Sequence, residues 1–195
     1  GRLFATDIEN VFARLINSDT VTQCLIVMLL GHGTRIRETL AAKWAHIDLV
    51  DGYWRLPMAD TKTDEWHTLP LTETMRTFLD SYRRGQAKKG YRGVYLFPGH
   101  GHGKPLSYST ARKLIKRVSE DNWSAHDCRK ALKTICTDAL NIDDAVSERI
   151  LNHAMDSTRK AYNKALYEGP MRDALTRYHA WLGCRGLNVF LATAT

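Results

Sequence analysis

The sequence lacks a long apolar run. Its longest stretch of apolar side chains is CLIVMLL, residues 24–30, whereas a helix that spans a bilayer needs about 20 apolar residues. The sequence also has no basic start followed by an apolar stretch and a small-residue cleavage site, so it shows no secretory signal. We therefore expect a protein with no membrane partner.

Cysteines are few, and acidic residues are fewer than basic ones. The four cysteines form no C-x-x-C pair, which favours reduced thiols and a cytoplasmic protein over a disulfide scaffold. The 21 acidic residues are outnumbered by 28 Lys and Arg, which gives a formal net charge of +7. This excess of positive charge favours a polyanionic partner such as nucleic acid.

Helical patterning fills most of the sequence. In 5–18, Ile8, Val11, Phe12 and Leu15 recur at intervals of three and four residues, as on one face of a helix. Similar spacing, or a buried apolar run, predicts further helices over 21–30, 34–44, 72–86, 107–120, 126–140, 143–151, 155–167 and 170–182. The chain is therefore predicted to be mostly α-helical.

The middle of the sequence changes to short β-prone runs. DG at 51–52 and ADTKTDE at 59–65 are turn signals. They separate predicted strands over 47–50, 53–58 and 66–70. The predicted fold class is α+β, mostly α-helical, with a small three-stranded antiparallel sheet.

Residues 1–182 are predicted to form one domain, because 44% hydrophobic composition suits a single core and no linker or repeat interrupts the chain. The segment 183–195 is predicted to be a C-terminal tail that docks onto a neighbouring protomer. Its apolar residues, Leu187 and Phe190 among them, seldom stay free in water. The opening GRLFATDIEN looks cut from something longer, so we expect that an N-terminal part is missing.

Several dispersed residues suit the cleavage of a phosphodiester without a metal ion. That reaction needs a nucleophile in line with phosphorus, fixed donors for the non-bridging oxygens and a proton for the departing sugar oxygen. Arginine suits the second task, because guanidinium stays charged and grips two phosphate oxygens at once. His126 and Arg129, in HDCRK, lie three residues apart on a predicted helix, so both side chains can face one point.

The other candidates are Arg35, Lys62, His153 and Tyr162. Arg35 opens a predicted helix after a Gly-rich turn, a place that favours an anion, and Glu38 is three residues on. Lys62 lies in the turn between two predicted strands, and Tyr162 follows His153 in a basic segment. Each alone also fits an ordinary role, such as a surface ion pair for Arg35, a soluble turn for Lys62 and a packed ring for Tyr162.

Taken in order, these segments resemble the tyrosine recombinases of the phage integrase family. GTRIRETLAAKWAHID, 33–48, resembles the first-arginine box, and HDCRK is similar to the His-x-x-Arg box. ILNHAMDSTRKAYNK, 150–164, resembles the Leu-Gly-His box followed by the nucleophilic tyrosine. The order Arg, Lys in a β-turn, His-x-x-Arg, His, Tyr is the family's own, and the resemblance covers nearly the whole catalytic domain.

The resemblance implies a site-specific DNA recombinase, or integrase, that needs no metal, cofactor or ATP. Tyr162 would link to the 3′ phosphate and free a 5′ hydroxyl, while Arg35 and Arg129 would clamp the non-bridging oxygens. The energy of the broken bond would be kept in the phosphotyrosine, so that strands can be rejoined. Integration or excision of a mobile element would follow.

The resemblance gives the remaining candidates supporting roles. His126 and Lys62 would handle protons, with Lys62 the acid to the 5′ oxygen. His153 would hydrogen-bond the phosphate, and Glu38 would support the site. The chain departs from the family's pattern at Asn152, where the family has Gly, and at Thr34 and Arg37, which replace the usual Leu and Ser.

The resemblance also implies partners and a location. We expect double-stranded DNA, a homotetramer on DNA that is monomeric when free, and accessory DNA-bending proteins. We expect the family's N-terminal DNA-binding domain to be absent from this sequence, and the chain alone to bind DNA weakly. The expected location is the cytoplasm of a bacterial cell or phage-infected host, at the nucleoid.

Three alternative functions remain open. A type IB topoisomerase uses a similar Arg, Lys, Arg, His, Tyr set to relax DNA, although such enzymes usually carry Lys in place of His126. A metal-dependent hydrolase could use His100 and His102 in GHGHG, or the adjacent His126 and Asp127. A non-catalytic DNA-binding remnant would keep the fold without the reaction.

Overall fold

The structure, a computed structural model, describes residues 1–57, 66–153 and 164–191. These parts are mostly helical and carry one small antiparallel sheet, which confirms the predicted fold class. The helices of the described parts are α1 (Ile8–Leu15), α2 (Thr20–His32), α3 (Ile36–Leu40), α4 (Glu73–Lys88), α5 (Tyr108–Ser119), α6 (Ala125–Thr134), α7 (Asp144–Ile150) and α8 (Lys164–Gly183). Within these ranges, none of them is long and apolar enough to cross a membrane.

The apolar helix α2 forms the centre of the fold. Residues 24–30 are all buried, which explains why this part of the sequence is apolar on every side. The helix ends at His32 and is capped by Gly33, whose φ of 62° is left-handed and would strain an ordinary side chain. Because α2 packs against α4, α5, α6 and α8, it fixes the positions of the helices that carry the site.

The sheet has the order β1 (Ile47–Asp48), β2 (Tyr53–Pro57) and β3 (Trp66–Pro70), and all its pairs are antiparallel. Trp54 pairs with Leu69, and both side chains are buried in the core. β3 packs against α8. The three predicted strands are therefore confirmed, although β1 is shorter than expected.

The predicted helix over 34–44 is wrong in its second half, because α3 ends at Leu40. The chain then runs alongside the extended segment 94–96, and the amide of Trp44 donates to the carbonyl of Val94 at 2.9 Å. Pairing with a distant part of the sequence, which no local pattern reveals, outweighs the helical periodicity here.

The predicted break between helices 155–167 and 170–182 is also wrong. α8 continues through Pro170, although proline cannot donate to the carbonyl of Leu166 one turn earlier. Leu166 is 63% exposed, so water can bond there instead. Residues 154–163, which contain most of the first predicted helix, lie outside the described residues.

The segment after α8 folds back on the same chain. Leu187–Phe190 forms a 3₁₀ turn in which Leu187 and Phe190 are buried. The ring centroid of Phe190 lies 5.9 Å from that of Phe12 in α1. The docking of 183–195 onto a neighbouring protomer stays a prediction.

Candidate active site

Arg129 is the buried centre of the candidate site, with only 6% of its surface exposed. Its Nη1 donates to the backbone carbonyl of Gly33 at 2.6 Å, and its Nη2 donates to that of Leu151. The first carbonyl follows α2 and the second follows α7. The side chain therefore joins three helices, and its guanidinium is held in one place.

The start of α6 explains the acidic residue in HDCRK. The amide and hydroxyl of Ser124 donate to Oδ2 of Asp127 at 2.9 and 2.8 Å, in a capping box. Asp127 is itself buried. His126, the second residue of α6, is exposed beside this cap. Asp127 thus starts the helix that carries His126 and Arg129.

Arg35 stands at the N-terminal end of α3 and contacts Glu38, as the three-residue spacing predicts. Its amide donates to Glu38 Oε2 at 3.0 Å, and its Nη1 donates to Oε1 at 3.1 Å. The Arg35 side chain is 54% exposed. Glu38 therefore orients a guanidinium that solvent or a ligand can reach.

Two arginines of the site act on each other electrostatically. Burial lowers the pKa of Arg129 most, and the charge of Arg35 lowers it further, while Glu38 and Glu148 oppose these effects. Like charges repel, so the charge of Arg35 disfavours the charged form of Arg129. The arrangement is therefore prepared for an anion.

His126, Arg129 and His153 line a single cleft of about 590 Å³. Lys130 and Lys133 of α6 lie along the same cleft, which gives it a positive wall. Arg35 does not line this cleft and reaches the site only through its charge on Arg129. Three of the six predicted catalytic residues thus line one cleft.

The other two predicted catalytic residues lie outside the described residues. Lys62 belongs to the segment 58–65 that connects β2 to β3, and Tyr162 belongs to the segment 154–163 that follows His153. Their roles stay predictions.

Glu148, which contacts His153, and Lys133, which contacts Glu148, were missed by the sequence analysis. Glu148 Oε2 lies 2.5 Å from Nδ1 of His153, and Oε1 lies 2.5 Å from Nζ of Lys133. Lys133 is four residues after Arg129, so helical spacing could have placed it on the same face. Glu148 lies in α7 and His153 lies beyond the end of that helix, so helical spacing does not predict their contact.

His67 on β3 was also missed. It is partly exposed, and its Nε2 lies 3.1 Å from the carbonyl of Ile150 in α7. Burial is the largest effect on the pKa of His67 and lowers it, while the charges of Glu38 and Arg129 act in opposite directions. His67 therefore lies near the site, although its place in a short strand gave no signal of this.

The histidines suggested for a metal-dependent hydrolase do not assemble in the parts of the chain that the structure describes. Over these parts, no group of three or more His, Cys, Asp or Glu side chains is arranged to hold a metal ion. The ring of His102 instead packs against Tyr91, with centroids 5.2 Å apart.

Residues 2–168 match the sequence pattern of the phage integrase family. Among curated proteins, the chain is similar to the prophage integrases IntA and IntZ of Escherichia coli strain K12, with 26% and 27% identity over 151 and 158 residues. The matches cover 75% and 80% of this chain but only 35% and 38% of the relatives. The chain thus spans little more than a third of their length.

Solved structures share the fold. The integrase from mycobacterium phage Brujita superposes with a TM-score of 0.69 at 20% identity, over 91% of this chain and 57% of that one. XerA recombinase gives 0.62 at 22% identity, over 91% and 63%. A lambda integrase tetramer bound to a Holliday junction gives 0.62 at 19% identity, over 80% and 48%.

Proposed function

This chain belongs to the phage integrase family, and we propose that it is the catalytic part of a site-specific DNA recombinase. It would cleave and rejoin strands through a 3′-phosphotyrosyl intermediate. One observation carries the proposal: Arg129, fixed by the carbonyls of Gly33 and Leu151, lines one cleft with His126 and His153, and the charge of Arg35 reaches it. A phosphodiester between the two guanidinium groups would relieve their repulsion and accept hydrogen bonds from both.

The contacts of Arg129 support its role as a fixed phosphate donor. Gly33 and Leu151 occupy one N–H group on each of its terminal nitrogens, and a guanidinium has further N–H groups to offer. Because the group is already held in place, it needs no rearrangement when negative charge develops on the phosphate. Glu38 likewise holds the guanidinium of Arg35 in place, by accepting a hydrogen bond from its Nη1.

His126 and His153 are proposed to act from the same cleft as Arg129. His126 would exchange a proton during the reaction, and the N-terminal end of α6 beside it favours negative charge. His153 would hydrogen-bond the phosphate.

Tyr162 and Lys62 complete the proposed reaction from their places in the sequence. The phenol oxygen of Tyr162 forms a bond to phosphorus while the bond from phosphorus to the 5′ oxygen breaks. Lys62 gives that oxygen its proton. The phenol proton passes to a base, for which His126 is proposed. Reversal of these steps by a second 5′ hydroxyl joins a new strand, so no ATP is consumed.

The test is covalent capture of DNA by the protein in excess EDTA. The probes are nicked duplexes, because release of the short strand beyond the nick prevents rejoining. The sequence around the nick is randomised. We expect an SDS-stable complex whose peptide map ends on Tyr162, and none with Tyr162→Phe. The absence of any complex, or a complex that survives in Tyr162→Phe, overturns the proposal.

Sequencing of the captured DNA separates the remaining functions. A recombinase enriches one sequence around the cleaved phosphate. A type IB topoisomerase captures DNA without such enrichment and relaxes supercoiled plasmid. A non-catalytic remnant shifts the mobility of the duplexes but forms no covalent complex.

The proposed assembly is a homotetramer on two duplexes that is monomeric without DNA. The lambda integrase tetramer on a Holliday junction supports it by likeness of fold. We propose that 183–195 contacts the neighbouring protomer, since Val189 is 49% exposed beside the buried Phe190. Val189→Asp should change the mobility of the DNA complex and leave the free protein unchanged.

Accessory DNA-bending proteins would increase the yield of recombinants on long substrates.

A further inference from the structure

Glu148 lies between a cation and a predicted catalytic histidine. Its Oε1 contacts Nζ of Lys133 and its Oε2 contacts Nδ1 of His153, both at 2.5 Å. Both carboxylate oxygens are therefore engaged. Lys133 also contacts Asp144 Oδ1 at 2.5 Å and Ser147 Oγ at 3.0 Å, so the cation that holds Glu148 is itself fixed to α7.

The contact between Glu148 and His153 decides which ring nitrogen carries a proton. Lys133, with a smaller contribution from His153, holds the pKa of Glu148 below its ordinary value although burial opposes this. The carboxylate is therefore ionised at neutral pH and can only accept hydrogen bonds. A carboxylate oxygen 2.5 Å from Nδ1 therefore requires the proton to be on Nδ1.

We propose that Glu148 is a positioning residue that fixes the proton of His153 on Nδ1 and leaves Nε2 for the DNA in the cleft. The described residues supply Nε2 with no hydrogen-bond partner. The neutral ring accepts a hydroxyl proton at Nε2, and the protonated ring donates from Nε2 to a phosphate oxygen. The inference rests on the proposed function, because it takes His153 as a residue that meets DNA.

A purely structural role would make Glu148 one more ion pair between α6 and α7. Asp144 separates the two possibilities. It lies on the same helix and pairs with the same Lys133, but it is 73% exposed and does not contact His153. Asp144→Asn therefore removes a partner of Lys133 and leaves the histidine contact in place, which makes it the matched control for Glu148→Gln.

The first measurement follows the ring proton directly, by ¹⁵N NMR of His153 at alkaline pH in the protein without DNA. We expect Nδ1 to be protonated in the unchanged protein and in Asp144→Asn. In Glu148→Gln the ring should lose this preference, since a neutral amide can either donate or accept. A spectrum of the unchanged protein in which Nδ1 carries no proton, or an unaltered spectrum in Glu148→Gln, overturns the inference.

The second measurement is the rate of covalent complex formation. We expect Glu148→Gln to slow it about 10- to 100-fold, the size of loss that follows removal of a residue that orients a metal-bound histidine, while Asp144→Asn stays near the unchanged rate. Added to His153→Ala, Glu148→Gln should cause no further loss, because both changes remove one function. Fully additive losses would show that Glu148 acts elsewhere.

The two measurements separate the inference from the proposed function. If the unchanged protein forms no covalent complex, the recombinase proposal fails, and the NMR spectrum still decides whether Glu148 fixes His153. If the complex forms and the NMR spectrum shows no effect of Glu148, the recombinase proposal stands and this inference fails.

Discussion

His67 and Arg129 donate hydrogen bonds to two consecutive carbonyl groups, those of Ile150 and Leu151. A carbonyl oxygen only accepts, so Nε2 of His67 carries the proton. One donor comes from β3 and the other from α6, and together they satisfy carbonyls at the end of α7 that its own hydrogen bonds leave open. Because His153 lies two residues after Leu151, this end of α7 holds the cleft in place.

Loss of the His67 donor should destabilise the fold. We expect His67→Leu to lower the free energy of unfolding by about 1–3 kcal/mol, since it leaves the carbonyl of Ile150 without its partner. His67→Gln, whose amide nitrogen can reach a similar position, should lose less. Urea unfolding followed by circular dichroism measures both, and equal losses in the two variants would contradict the role of the hydrogen bond.

Arg35 should matter for cleavage and not for folding. Its side chain is 54% exposed, so Arg35→Gln should leave the urea midpoint unchanged. Loss of a fixed donor to the phosphate should slow covalent complex formation about 10²–10³-fold. Arg37→Gln is the control, since that guanidinium lies 4.7 Å from the ring centroid of Tyr108 instead. Similar rates for the two variants would argue against a phosphate contact at Arg35.

Gly33→Ala should damage both stability and cleavage. A Cβ at this position would lie 2.5 Å from Cδ2 of Leu151, at a φ of +62°. The left-handed backbone alone costs an ordinary residue about 1–2 kcal/mol, and the clash would move the carbonyl that binds Arg129. The free energy of unfolding and the rate of covalent capture should therefore fall together.

The matched control for that change is Gly85→Ala. Gly85 lies in α4, and a Cβ there would meet no atom within 4 Å. Alanine favours a helix interior over glycine by about 0.5–1 kcal/mol, so this variant should be slightly more stable and cleave normally. A gain in stability from Gly33→Ala would show that the close approach of Leu151 does not exclude a side chain at this position.

Two buried histidines should make the fold sensitive to acid. The rings of His32 and His179 lie edge to face with centroids 5.4 Å apart. Burial lowers the pKa of His179 to about 4 and lowers that of His32 well below its ordinary value. The unfolded chain therefore binds protons that the folded chain does not. The contribution of these two uncharged rings to the free energy of unfolding should be complete above about pH 6.5 and should decrease as the pH falls towards 4.

Urea unfolding at a series of pH values measures this effect. His32→Phe keeps an aromatic ring in the contact but removes one titrating group, so its stability should depend less steeply on pH. His179→Gln serves as a second variant, since an amide can bond to the carbonyl of Gly31 that His179 contacts at 2.7 Å. Unchanged slopes in both variants would place the acid sensitivity elsewhere.

The departure from the family's pattern at Asn152 has a physical explanation in the structure. Its φ is +51°, a left-handed backbone that Gly adopts freely and Asn tolerates better than most residues. The sequence shows that the usual glycine is replaced. Only the backbone conformation shows why asparagine is an acceptable replacement there.

The local features of this protein could be predicted from the residues alone. Spacing of three and four residues marked the helices, turn residues separated the strands, and the pair Arg35 and Glu38 followed from adjacent positions on one helical face. These features depend on neighbours along the chain, so a single sequence suffices to predict them. The order of the candidate residues likewise indicated the family before any geometry was known.

The contacts that hold the site depend instead on how distant segments pack. Arg129 meets the carbonyls of Gly33 and Leu151 because α6 packs against α2 and the end of α7 lies beside it, and Glu148 of α7 meets Lys133 of α6. Such contacts join residues that are far apart along the chain, and their partners are often backbone atoms that every residue possesses. No spacing in the sequence predicts these contacts, because the helices reach these relative positions only when the core packs.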